Sequence, residues 1–177
     1  MFPFNFNQAR SAVNLFSSRP FVVKGDSMRP ALADGQYVQP VSLRLPWNHI
    51  RRGDIVVLGH PRENRISIKR VIGLPEEYIQ VHAEGVLINE CLLSEPYLSN
   101  SSGTAKGKAS QWYTDADEYF VLGDNRRNSE DSRDFGPVQR DLILKRVWFR
   151  YWPVRVFHPE AEPAHGHGDS FGSQAPS

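Results

Sequence analysis

Between Phe21 and Trp152 the chain is cut into short runs of β-branched and aromatic residues, and this punctuation constrains the fold more than any other feature. The runs are Phe21–Lys24, Tyr37–Val41, Asp54–Leu58, Ile66–Gly73, Tyr78–His82, Val86–Asn89, Tyr119–Leu122 and Arg146–Tyr151. Asp34-Gly35, Arg52-Gly53-Asp54 and Glu84-Gly85 fall between them as turn signals. Segments this short bury too little surface alone, so they must pair. With almost no helical period among them, a mainly β fold follows, a β-sandwich or partly closed barrel. Pro137–Leu144 holds one helical turn or two at most.

The ends read differently. Over 1–20, Phe2, Phe6, Ala9, Val13 and Phe16 recur at helical spacing, with Asn5, Gln8 and Arg10 away from that stripe. This predicts a short N-terminal amphipathic helix, either packed on the domain or lying flat in a membrane interface. The β domain spans 21–157, with a small β extension and loop inserted at about 76–118. Leu98–Ser110 is Ser/Gly/Lys-rich and reads as a loop. The tail, 158–177, is Pro/Gly/Ser/Ala-rich and reads as disordered, with His165 and His167 as ordinary solvated residues.

Composition narrows the function classes. With 21 Lys+Arg against 20 Asp+Glu, the net charge is +1, which removes the electrostatic case for a nucleic-acid binder. The single cysteine, Cys91, excludes an internal disulfide framework and a multi-cysteine zinc site. No stretch approaches the ~20 apolar residues of a bilayer span. On this arithmetic a soluble single domain is expected.

Three clusters carry candidate chemistry. In Gly25-Asp26-Ser27-Met28-Arg29-Pro30, a serine is held between a glycine turn and a proline, so that its own N–H is able to face a developing oxyanion. In Ile66-Ser67-Ile68-Lys69-Arg70-Val71-Ile72, alternation puts Ser67, Lys69 and Val71 on one face and Ile66, Ile68, Arg70 and Ile72 on the other, a strand buried on both sides. Lys69 then either snorkels outward or is desolvated into a possible base. Third, Gly123–Gly136 is a long polar loop dense in Asp, Asn, Arg and Ser that reads as a solvated connection or as a rigid scaffold for a site.

Taken in order, Gly25–Pro30, Arg52–Val57, Lys69–Pro75 and Gly123–Gly136 resemble the motif boxes of bacterial type I signal peptidases, and Gly85–Asn89 with Glu95-Pro96-Tyr97 is similar to that family's intervening β segment. The resemblance covers roughly three-quarters of the chain, Phe21 to Trp152. It implies a serine endopeptidase that removes N-terminal signal peptides from secreted proteins, with Ser27 as nucleophile and Lys69 as general base. It further implies that Ser129 orients the lysine, and that Asp131 and Arg133, or Arg70 and Asp124, form an ion-pair scaffold behind the dyad rather than take part in proton transfer. Gly25, Asp26, Met28 and Pro30 fall in the oxyanion and substrate-binding turn. Gly25 stands where some members carry a serine, so the oxyanion hole is expected to rest mainly on backbone N–H.

No metal or organic cofactor is implied. The implied partners are preproteins with small residues before the cleavage site, with membrane-interface contact through the Leu43–Trp47 loop or the aromatics Trp148, Phe149, Tyr151, Trp152 and Phe157. The family's active site faces the outer side of the bacterial cytoplasmic membrane. The missing span leaves a soluble cytoplasmic relative that trims the propeptide of a specific protein, such as nickel-containing superoxide dismutase, as the alternative. From other classes, a non-catalytic peptide- or membrane-binding β domain is disfavoured because Ser27 and Lys69 are both present. A self-cleaving repressor lacks its Ala-Gly or Cys-Gly site in Met1–Lys24, and a Gly-Asp-Ser esterase lacks its late Asp-x-x-His.

Overall fold

The structure, a computed structural model, describes residues 19–43, 49–98, 109–151 and 155–156. The helix expected in 1–20, the tail from 158, most of the 43–47 and 98–110 loops, and Trp152 and Phe157 lie outside these residues. In chain order the strands are β1 (Phe21–Val22), β2 (Tyr37–Ser42), β3 (Ile55–Gly59), β4 (Ile66–Gly73), β5 (Tyr78–Val81) and β6 (Val86–Ile88). They continue with β7 (Cys91–Leu92), β8 (Ser110–Tyr113), β9 (Glu118–Leu122), β10 (Val138–Gln139), β11 (Ile143–Arg150) and β12 (Arg155–Val156). Among the described residues one short α-helix, α1 (Ser132–Phe135), interrupts the second half.

All pairings are antiparallel and form two sheets. The larger has the order β1-β2-β11-β3-β4-β9-β10, with β12 added on β11, and it does not close into a barrel; the smaller has the order β7-β6-β5-β8. The mainly β expectation therefore holds. The short strands β7, β8, β10 and β12 were not anticipated, because runs such as Ser-Gln-Trp-Tyr carry no alternation of their own and become strands by pairing with β5. Pro137–Leu144 contributes β10 and a single 3-10 turn, Arg140–Leu142.

Burial on both faces explains the β-branched run of β3. Ile55 and Val57 join Met28, Leu32, Val38 and Ile68 in one cluster, whereas Val56 and Leu58 join Val71, Val121 and Ile143 in another. Each fully buried side chain of this size is worth about 1.5–3 kcal/mol, so the β3–β4 pair forms a stiff central platform. A third cluster, Ile72, Ile79, Val86, Ile88, Phe120 and Leu122, packs the small sheet onto the ends of β4 and β9.

Candidate active site

Lys69 sits mid-strand in β4, opposite Val56 of β3. Its residue is only 3% exposed, which decides between the two sequence readings: the ammonium is buried and does not snorkel. The Nζ donates to Ser129 Oγ at 3.0 Å, and Ser129 also hydrogen-bonds the Asp131 carboxylate. Burial lowers Lys69 from 10.5 to about 8; the Asp131 charge opposes this, Arg65 adds to it, and Glu130 and Arg133 act more weakly in opposite senses. At pH 7 a group titrating near 8 is neutral in about a tenth of molecules, against a few in ten thousand for an ordinary lysine.

Ser27 lies in the turn after β1. Gly25 adopts φ +78°, a left-handed conformation that glycine takes without steric cost, and its N–H donates to Asp34 Oδ1 at 2.7 Å. The turn is gripped from the other side by the polar loop, for Asn125 N donates to the Ser27 carbonyl at 2.9 Å and Asn125 Nδ2 to that of Asp26 at 3.2 Å. Gly123 is the close approach that makes this possible. A Cβ built there would stand 2.2 Å from Ser129 Oγ and 2.6 Å from the Ser27 carbonyl oxygen. Ser27, which bears the hydroxyl, and Ser129, which holds the amine, are thus packed on one glycine.

Ser27, Lys69 and Ser129 line the same cavity of about 330 Å³. Gly25, Asp26 and Met28 also belong to its walls. Met28 is buried, whereas Asp26 is exposed and paired with Arg29 at 2.6 Å. Pro30 is exposed and stands outside these walls.

Two buried ion pairs lie behind the lysine. Arg70 donates to both Asp124 oxygens, at 2.8 and 2.6 Å, and its third nitrogen donates to the Gly53 carbonyl at 2.8 Å. Arg133 clamps Asp131 with two bonds of 2.8 Å. Burial alone would push the Asp131 carboxyl up, but the Arg133 hydrogen bond and charge, with the Gly123 N–H, hold it below the usual carboxylate range. Asp131 also caps α1 and receives the Gly123 N–H at 3.0 Å, which pins the start of the loop to its end. Among the described residues no group of three or more His, Cys, Asp or Glu converges as metal ligands do.

Sequence reasoning passed over several neighbours. Glu130 and Arg65 meet at 2.5 Å on the cavity wall, and His60 approaches Glu130 at 3.3 Å. Arg126 is wholly buried against Glu95. Arg126 and Glu130 belong to the loop that the sequence singles out, yet nothing in spacing separates a buried arginine from a solvated one.

A family model described as "Signal peptidase, peptidase S26" matches residues 8–152. Among curated proteins, signal peptidase IB of Staphylococcus aureus is 31% identical over 169 residues, covering 85% of this chain and 86% of that protein. Signal peptidase I of Leptolyngbya laminosa is 37% identical over 151 residues, covering 80% and 72%. A crystal structure of a signal peptidase I from Enterococcus faecalis aligns with TM-score 0.47 and 32% identity over 54% of this chain and 93% of that one. By the extent of the family match and of these identities, this chain belongs to the type I signal peptidase family, a peptidase that removes signal peptides from preproteins.

Proposed function

We propose that the peptidase works through a serine–lysine dyad, with Ser27 as nucleophile and Lys69 as general base. The observation that carries this reading is a buried lysine, lowered to about 8, that shares one cavity with a turn-held serine. Ser129 takes one N–H of the amine, which leaves the lone pair of neutral Lys69 free to face Ser27. Lys69 Nζ accepts the Ser27 hydroxyl proton as Oγ adds to the scissile carbonyl. The oxyanion is met by backbone N–H at the Ser27 turn, since Gly25 offers no hydroxyl. The C–N bond then breaks, and Lys69 returns the proton to the leaving amine. Water attacks the acyl-enzyme, Lys69 again takes the proton, and the acid leaves with Ser27 restored.

Two strand edges border the cavity and suit an extended preprotein segment. On one side, Val23 spends both backbone groups on the β2 side, donating to Gln36 O at 2.8 Å and accepting from Gly35 N at 2.9 Å, so alternation turns those of Lys24 toward the cavity. On the other, β9 pairs with β4 only from Arg70 onward, which among the described residues leaves 66–69 without a partner strand on that side. A substrate strand laid between them would gain main-chain hydrogen bonds from both. The apolar wall of Val23, Met28 and Ile68 favours small apolar side chains such as Ala next to the cleaved bond.

The test incubates wild type, Ser27→Ala and Lys69→Ala with a secretory preprotein in detergent. Cleavage is expected from wild type alone. Equal cleavage by either variant would overturn the dyad.

A further inference from the structure

Within the small sheet, β7 is followed by a segment, Leu93–Leu98, that reaches the polar loop of 123–136. Glu95 projects a carboxylate that is 7% exposed onto Arg126, which is 0% exposed. Arg126 holds Glu95 with two nitrogens, one of them at 3.0 Å, and turns its Nε to the Gly123 carbonyl at 3.1 Å. Tyr97 donates its hydroxyl to Glu95 Oε1 at 2.6 Å. The face of the Tyr97 ring lies under the Arg70 guanidinium, 3.8 Å from carbon to ring centre. Arg70 in turn grips Asp124.

These contacts form one circuit with Gly123 and Asp124 at its end. Gly123 is the residue against which both the Ser27 carbonyl and Ser129 Oγ are packed. Arg70 is the strand neighbour of Lys69, and alternation places its side chain on the opposite face of β4. A buried arginine with one carboxylate partner is held tightly, because an unpaired charge in that position is strongly unfavourable. Stacking of an arginine on an aromatic face adds a directional contact that leucine cannot replace.

We propose that Glu95 and Tyr97 are positioning residues, which hold Ser27 and Lys69 in register by bracing Gly123 and Asp124 from the face of β4 opposite the Lys69 side chain. This rests on the dyad reading and adds to it a function for the inserted β segment. None of residues 93–98 lines the cavity that Lys24 and 66–69 border, so disturbance of the segment changes the chemical step and not substrate binding. It also opens the Ser129–Lys69 contact to water, which moves the lysine back toward its ordinary value.

The experiment compares Tyr97→Leu and Tyr97→Phe in the full chain, with cleavage of a preprotein followed from about pH 6 to 10. Tyr97→Leu is expected to lower kcat about tenfold or more with KM within about twofold, and to shift the pH profile upward. Tyr97→Phe keeps the ring under Arg70 and is expected to recover most of kcat. A residue that served stability alone would lower the melting temperature and the folded fraction, but leave kcat per folded molecule and the profile unchanged. That result overturns the proposal. Glu95→Gln, which keeps the shape and weakens the hold on Arg126, is expected to repeat the kcat loss and upward shift; it carries the test if Tyr97→Leu does not fold. Ser27→Ala is run alongside: if it cleaves like wild type, the dyad falls and this proposal with it, whereas an inactive Ser27→Ala beside an unaffected Tyr97→Leu removes the positioning role alone.

Discussion

Replacing Lys69 by methionine separates the energetic cost of the buried amine from its chemistry. The side chain keeps roughly its length and loses its charge. Burial lowers Lys69 from 10.5 to about 8, and at ~1.4 kcal/mol per pH unit this amounts to about 3 kcal/mol of destabilisation wherever the amine is protonated in both states. Below about pH 8 the folded and unfolded forms both bind the proton, so the full cost is present. Between about 8 and 10.5 the unfolded chain keeps a proton that the folded protein has released, and stability rises with pH across that window. The substitution also removes the 3.0 Å hydrogen bond to Ser129, a loss of about 1 kcal/mol. Lys69→Met is therefore expected to be inactive yet more stable than wild type by about 2 kcal/mol at pH 7. The gap should close and then reverse as pH approaches 10.5. Urea unfolding followed by tryptophan fluorescence at several pH values measures it, and the activity profile of wild type should rise through an apparent pKa of about 8. A variant no more stable at neutral pH, or a gap that does not narrow with pH, would refute the desolvated lysine. Wild-type activity still climbing past pH 10 would do the same.

Glu130→Gln and Arg65→Gln should move the activity profile in opposite directions. Glu130 raises Lys69 and Arg65 lowers it, so the first variant shifts the profile to lower pH and the second to higher. Their side chains are 50% and 40% exposed, so each should change urea stability by less than about 1 kcal/mol; shifts of the same sign would count against a direct charge effect. Gly123→Ala places a Cβ 2.2 Å from Ser129 Oγ and 2.6 Å from the Ser27 carbonyl. Overpacking of this kind is expected to cost about 1–3 kcal/mol, with kcat down about tenfold or more as Ser27 and Ser129 part. A wild-type kcat would show that the glycine sets no catalytic distance.

Much of this protein was legible because local chemistry already constrains it. The β-branched runs separated by glycine turns force pairing whatever their partners are, and β4 was readable from Ile68 onward, where alternation with apolar residues on both faces means burial on both. Ile66, expected on a buried face, is 54% exposed, because β9 pairs with β4 only from Arg70 on. The order of the motif boxes pointed to the family. Short strands such as β8 and β10 were not legible, since two to four residues carry no period and are strands only by virtue of the neighbour they bond. The position of Pro30 outside the cavity walls, and the part played by Arg65 and Glu130 within them, depended on which loops meet. Sequence alone left Lys69 open between a snorkelling side chain and a buried base. Only the tertiary structure decided it, because desolvation is set by what other segments cover: Ser129, 60 residues away, takes the amine, and burial lowers it to about 8. The same holds for Arg126, whose charge is tolerated inside the protein because Glu95, 31 residues earlier, meets it there. Periodicity specifies which side chains turn inward, but which charge each one finds on arrival is a property of the assembled fold.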